Sequence, residues 1–221
     1  MAKRPVYIVS DTKPYCKCKM IDFEYSKGTS IKQKQKNIKS LHEVFMVSNP
    51  NSKILEISSK SENPWGVALS AFNLTVKNKN GEDLFSVEAA FQESKVFEKG
   101  GPYTDLLYVS SKEAKKDKRL KTSGSIIGFN FQGEEFISRP KTFFYSWLYI
   151  NVLISNKELA EAIMDFDAFT DIEFNPQKSL NCQAEAVALF VALKKNDLLE
   201  KALKDKNSFR KIVYFVDWYY L

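Results

Sequence analysis

Ser86-Val87-Glu88-Ala89-Ala90-Phe91-Gln92-Glu93-Ser94-Lys95-Val96-Phe97 decides how this chain is read. Wound as a helix, it separates into two faces. Val87, Ala90, Phe91, Ser94 and Phe97 share one side, and Glu88, Gln92 and Lys95 follow at i, i+4 and i+7 a quarter-turn away. An acid, an amide and an amine then project together beside an apolar stripe. Such a stripe serves either as solvated helix surface or as the wall of a cleft where a carboxylate and a lysine share one substrate.

Working outward, Leu74 to Lys77 and Asp83 to Ser86 flank Asn78-Lys79-Asn80-Gly81, the pattern of a hairpin with an Asn-Gly turn. Lys99-Gly100-Gly101-Pro102-Tyr103 stops the helix. Further on, Ser111 to Leu120 reads as a charged helix, Ile126 to Phe131 as a strand and Arg139 to Ile154 as a buried aromatic helix. Lys157 to Asp165 is expected to be helical and Asp167 to Asn181 to be a long loop. Ala184 to Lys194, Leu198 to Lys204 and Phe209 to Tyr220 complete a helical C-terminus. Toward the N-terminus, Val6 to Val9, Met20 to Tyr25 and Lys53 to Ile57 read as strands. Ser30 caps a helix over Ile31 to Phe45, and Ser58 to Gly66 is a hydroxyl-rich loop. The expected class is α+β, predominantly helical, with a small β-sheet. One domain is expected over 1–221, with N-terminal strands in 1–30, a core carrying the site in 31–195 and C-terminal helices in 196–221.

With 221 residues, 17 Phe and 10 Tyr, the chain can bury a sizeable core. Lys and Arg exceed Asp and Glu by 33 to 27, a +6 surplus that only weakly favours a polyanionic partner. The three cysteines, Cys16, Cys18 and Cys182, form an odd set that reads as reduced thiols. Cys16-Lys17-Cys18 is too tight for the usual zinc spacing and His42 is the sole histidine, so neither a metal nor another cofactor is expected. Met1-Ala2-Lys3-Arg4-Pro5 leads into no signal-like apolar run and no segment has membrane-span length, so a cytoplasmic protein without membrane contact is expected.

The familiar catalytic and phosphate-binding templates are absent, including nucleophile elbows and glycine-rich phosphate loops. Chemistry must rest on carboxylates, lysines and hydroxyls. Three places qualify: the Glu88/Gln92/Lys95 stripe, the Ser58 to Gly66 loop leading into Ser70 and Phe72, and Asp171 with Asn181. Each also has an ordinary reading, as a solvated helix face, a surface loop and turn or cap residues.

Together these places resemble the NADAR superfamily. Glu88-Ala89-Ala90-Phe91-Gln92-Glu93-Ser94-Lys95-Val96-Phe97 is similar to its Glu-x-x-Phe-Gln-x-x-Lys-x-Phe segment. Leu69-Ser70-Ala71-Phe72 is similar to its Leu-Ser-Asn-Phe loop except at Ala71. Phe169-Thr170-Asp171 keeps the Asp of a third motif, and Asn181-Cys182-Gln183-Ala184 keeps the Asn of a helix start. Segments Lys34 to Glu43, Leu55 to Ser61 and Ala168 to Pro176 resemble the NADAR antitoxins paired with DarT toxins.

The resemblance implies an N-glycosidic hydrolase that removes ADP-ribose from guanine in DNA, repairing what the partner toxin modifies. ADP-ribosylated DNA is then the substrate, ADP-ribose a product and a DarT-type toxin the functional partner. Two alternatives stay open: an N-glycosidase of a small riboflavin-pathway-like metabolite, and a non-catalytic immunity protein that binds the toxin. As the ribose–nitrogen bond breaks, charge develops on the anomeric carbon, and Glu88 is the candidate to stabilise it or to orient water. Asp171 is a candidate acid or hydrogen-bond anchor. Lys60 and Lys95 are both candidates for a nucleophile passing through a Schiff base, which requires an amine pKa lowered from about 10.4. Ser58, Ser59, Trp65, Gly66, Ser70, Phe72, Gln92, Tyr103 and Asn181 are candidate substrate contacts. Lys34, Lys36, Lys39, Lys115, Lys116 and Arg119 are candidate DNA contacts.

Overall fold

The computed structural model describes residues 1–214, and its α+β class, with helix outweighing strand, matches the expectation. Backbone contacts cluster into two units, Met1–Ser70 with Lys157–Leu221, and Ala71–Asn156.

The first unit is built on a sheet of order β2-β1-β9-β3. Strands β1 (Ala2–Val9) and β2 (Cys16–Phe23) pair antiparallel from Ala2↔Phe23 to Val9↔Cys16. Both are longer than the expected Val6 to Val9 and Met20 to Tyr25. Strand β3 (Ile54–Glu56) runs parallel to β9 (Ala168–Thr170), which pairs antiparallel with β1 on its other side. The expected loop from Asp167 to Asn181 therefore contains an inner strand.

Helix α1 (Ile31–Ser48) is capped by Ser30, whose hydroxyl accepts from Gln33 N. Its Ile38, Leu41 and Phe45 pack with Val6, Ile21, Phe23, Ala168 and Ile172. Val6, Ile21 and Phe23 are the alternate residues of β1 and β2 that share one sheet face, joined by Ala168 of β9 and by Ile172 just beyond it. Tyr7, Cys16 and Cys18 lie on the opposite face, toward Cys182 and Glu185 at the start of α8 (Gln183–Lys195). Ala184 and every residue from Ala186 to Leu193 in α8 are buried, which explains its weak amphipathicity. The short α2 (Pro64–Ala68), α7 (Lys157–Ala162) and α9 (Leu199–Leu203) and the longer α10 (Lys206–Tyr214) complete this unit. The part of the expected C-terminal helix beyond 214 lies outside the described residues.

The second unit begins with the expected hairpin, β4 (Thr75–Lys77) and β5 (Asp83–Ser86), whose turn places Gly81 at φ +83°. Helix α3 (Val87–Glu93) follows at once. It is shorter than expected: Lys95–Phe97 forms strand β6, not a further helical turn. Ser94 Oγ donates to Ala90 O at 2.6 Å, an i−4 bond that weakens continuation of the helix, and Asn130 N donates to Ser94 O at 2.7 Å. Lys95 then pairs with Phe129 of β7 (Ile126–Phe131), which pairs with β8 (Glu134–Ile137).

The expected charged helix over Ser111 to Leu120 is two short ones, α4 (Ser111–Lys116) and α5 (Arg119–Thr122), divided at Asp117. The buried helix α6 (Phe143–Ser155) starts after Pro140, later than Arg139, because proline disfavours helix in the residue before it. Its aromatics are core, as expected. Phe144 stacks 4.6 Å from Phe129 and lies 4.9 Å from Phe136, while Phe91 meets Tyr145 edge-on at 5.1 Å.

Candidate active site

Helix α3 is short, so its position depends on its first turn. Ser86 Oγ accepts from Ala89 N at 3.1 Å, Val87 N donates to Leu74 O, and Glu88 N donates to Ala71 O at 2.9 Å. Every donor of that turn has a partner, which holds the helix start without need of length. At Ala71, where the sequence departs from the Leu-Ser-Asn-Phe pattern, the backbone carbonyl supports Glu88.

From this base a hydrogen-bonded relay runs through three side chains. Lys95 Nζ donates to Gln92 Oε1 at 2.6 Å, and Gln92 Nε2 donates to Glu88 Oε1 at 2.7 Å. Glu88 and Gln92 are buried and Lys95 is half-buried. The expected grouping of acid, amide and amine is therefore present, but Lys95 joins it from the strand and not from the helix. Its Nζ lies 4.6 Å from the centre of the Phe91 ring. Burial pushes the Lys95 amine down to about 8; Glu88 opposes that shift and the charge of Lys115 reinforces it.

Lys115 joins the group from α4. Its Nζ lies 3.6 Å from Glu88 Oε1 and 4.8 Å from the centre of the Phe72 ring. Helix α4 is anchored there by Ser111, whose Oγ donates to Phe72 O at 2.9 Å and bonds Ser86 Oγ at 2.7 Å. The sequence reading placed Lys115 among DNA contacts; nothing in local spacing links residues this far apart.

The other expected basic contacts differ in how they are engaged. Lys34 is mostly buried and pairs with Glu173 at 2.7 Å, an ion pair and hydrogen bond that hold its pKa above the usual lysine value against the opposing effect of burial. Lys39 faces Glu43 at 3.9 Å, and Lys36 and Lys116 are exposed. Arg119 is held by Asp105 at 2.6 Å and Asp117 at 3.0 Å and stacks 4.5 Å over Tyr103. The Tyr103 hydroxyl bonds Ser123 Oγ.

The first unit holds the remaining candidates around a buried acid that the sequence reading missed. Glu56 Oε1 accepts from Ile172 N at 2.8 Å and Oε2 from Thr170 Oγ1 at 2.6 Å, and Ser58 also bonds it. Thr170 spends its only proton on Glu56, so the 2.8 Å contact with His42 requires His42 Nε2 to carry hydrogen. Burial lowers His42 to about 4, which keeps it neutral. Asp171 is buried and accepts from Glu173 N and Phe174 N, closing its own turn. Burial and then the charge of Glu56 push its carboxyl well above the usual range. An acid inside the apolar run Leu55-Glu56-Ile57 was the available signal for this network.

Ser58 is buried and accepts from Lys60 N at 3.2 Å, while Ser59 is exposed. Gly66 packs against Glu56 O and Ser61 Oγ so closely that no Cβ fits. Trp65 is half-buried behind the Asn63 cap, and Ser70 is buried. Asn181 Oδ1 is buried without a hydrogen-bond partner. A second missed acid, Glu93 in α3, is 3% exposed, bonded by Ser94 Oγ at 3.1 Å and pushed up to about 7 by burial.

The site therefore groups a buried carboxylate, an amide and an amine whose basicity burial lowers. The family model of the DarT1-associated NADAR antitoxins matches residues 2–219, and the chain belongs to that family. Among curated proteins none matches it. Among the described residues no helix is long and apolar enough to cross a membrane.

Proposed function

We propose that this protein removes ADP-ribose from guanine bases of DNA and in that way acts as the antitoxin of a DarT1-type toxin. The observation that carries the reading is the relay from Lys95 through Gln92 to Glu88. When the ribose–nitrogen bond breaks, its electron pair stays with the guanine nitrogen, which takes up a proton. The anomeric carbon is left positive, and a fixed carboxylate in a poorly hydrated place stabilises it far better than water does. Glu88 fills that role.

Water then adds to the carbon and loses a proton. In the covalent variant the Lys95 amine adds first, the sugar opens to a Schiff base, and water releases ADP-ribose. Lys95 is favoured over Lys60 as that amine because burial brings it near 8 and hydrogen bonding aims it. Lys36 and Lys116, exposed cations in no ion pair among the described residues, each suit contact with the DNA backbone.

The test is incubation with ADP-ribosylated guanine in DNA, ADP-ribosylated thymine in DNA and an ADP-ribosylated protein, followed by product analysis. Release of ADP-ribose from the guanine adduct, lost in Glu88→Gln, is expected. Turnover of none of the three would refute the reading. Toxin neutralisation by Glu88→Gln at wild-type level would favour a binding antitoxin instead.

A further inference from the structure

The two amines beside Glu88 are held very differently. Lys95 is half-buried and hydrogen-bonded at 2.6 Å. Lys115 is 55% exposed on its side chain and stands 3.6 Å from Glu88 Oε1, beyond hydrogen-bond length. That oxygen already has a donor, since Gln92 Nε2 reaches it at 2.7 Å. Glu88 therefore does not depend on Lys115 for its hydrogen bonding; its side chain is 7% exposed, so the ammonium leaves it only in exchange for another anion. The helix that carries Lys115 is nevertheless fixed in place. The Ser111 anchors seat α4, and the ammonium rests 4.8 Å from the Phe72 ring. The side chain is thus a cation held on station at the acid, with its head free to take another anion.

We propose that Lys115 determines specificity at this site by leaving Glu88 for a phosphate of the substrate. The inference rests on the glycohydrolase reading above and names what that site demands: a phosphorylated ribosyl group, not a bare one. In an ADP-ribosyl adduct the reacting carbon and the carbon bearing the phosphate-carrying arm flank the ring oxygen of one ribose. A cation one side chain's reach from the acid can meet the phosphate while Glu88 faces the carbon. The exchange also gives order to the reaction. An empty site keeps its acid covered by a counter-ion, and the anionic ligand that belongs there uncovers it. Arg119 cannot substitute, because Asp105 and Asp117 hold its guanidinium.

The experiment compares three guanine adducts in the same oligonucleotide: ADP-ribosyl, ribosyl 5-phosphate after diesterase trimming, and ribosyl after phosphatase. ADP-ribose and ribose binding are measured by calorimetry alongside. Wild type is expected to favour both phosphorylated adducts. Lys115→Gln is expected to lose about tenfold to a hundredfold more in kcat/KM on those two than on the ribosyl adduct, the worth of a charge-assisted hydrogen bond. ADP-ribose affinity falls by a similar factor, and Lys115→Arg recovers most of it. An equal loss on all three adducts, or ADP-ribose affinity unchanged in Lys115→Gln, overturns the proposal. If wild type cleaves no adduct, the hydrolase reading fails by itself, and the calorimetric comparison still decides whether Lys115 recognises phosphate.

Discussion

Lys95 donates to Gln92 at 2.6 Å across a change of secondary structure, because the amide lies in the last turn of a helix and the amine begins a strand. Ser94 alone separates the two elements. The amine is held by sheet pairing with Phe129 while the amide is held by the helix, so two rigid supports meet at one hydrogen bond.

Breaking that bond is the most direct probe of the relay. Gln92→Met keeps the side-chain volume and removes both the acceptor for Lys95 and the donor for Glu88. Its kcat on ADP-ribosyl guanine is expected to fall about tenfold to a hundredfold with KM nearly unchanged, as when an interaction made in the transition state is lost. A rise in KM at constant kcat would contradict this assignment.

The amine sets a pH signature. With Lys95 near 8 in the folded protein, a neutral-amine mechanism gives a kcat that rises through about pH 8 and levels above it. Stability moves in the same direction. The unfolded chain, titrating near 10.5, binds more protons than the folded one between about 8 and 10.5, so this residue's contribution to stability rises with pH there. Lys95→Met is accordingly expected to be more stable than wild type at pH 7, by about 1–2 kcal/mol, while losing activity. Denaturant titrations at pH 7 and pH 10 check both statements.

Glu93 works with the opposite sign. Its folded pKa, pushed up to about 7, lies above the unfolded carboxylate value, so its stability contribution is fully present below about 4.5 and is lost as pH rises through about 7. Glu93→Gln is expected to stabilise the protein by about 1–3 kcal/mol at pH 8 and to match wild type near pH 4.5. Equal unfolding midpoints of the two proteins at pH 8 would count against this account.

Gly66 tests the packing of the Glu56 loop. Gly66→Ala places a methyl group into Glu56 O and Ser61 Oγ, backbone and side chain that are both buried. A loss of about 2–3 kcal/mol is expected, read as a lowered melting temperature. The same variant is expected to bind DNA with an unchanged salt dependence, because no phosphate contact is touched.

What the sequence made legible follows from distance along the chain. The Glu88 and Gln92 pairing was visible because both residues lie in one helix, where spacing dictates direction. The place of Lys95 was misread since Val96 and Phe97 continue the apolar pattern of a helix equally well. Strand β9 was hidden because three residues acquire strand character only when β1 and β3 flank them. Lys115 was grouped with neighbouring lysines by composition, whereas its position depends on Ser111 bonding Ser86 and Phe72, contacts that no local period encodes. The link from His42 to Glu56 runs through Thr170, far along the chain, so no local pattern shows it. The α+β class was recoverable because it needs only the alternation of strand-like and helix-like runs.

Strand β9 has a consequence for how the molecule comes into being. It is the piece that joins β1 to β3, yet Ala168 leaves the ribosome long after both of them. Until then one side of the N-terminal hairpin is bare, and the whole Ala71–Asn156 unit is synthesised in the interval. Closure of that first sheet waits for a late, distant segment and is expected to be slow for that reason. Nascent chains arrested at Asn156 are expected to show protease cleavage within Ala2–Phe23, and chains arrested after Lys195 to resist it.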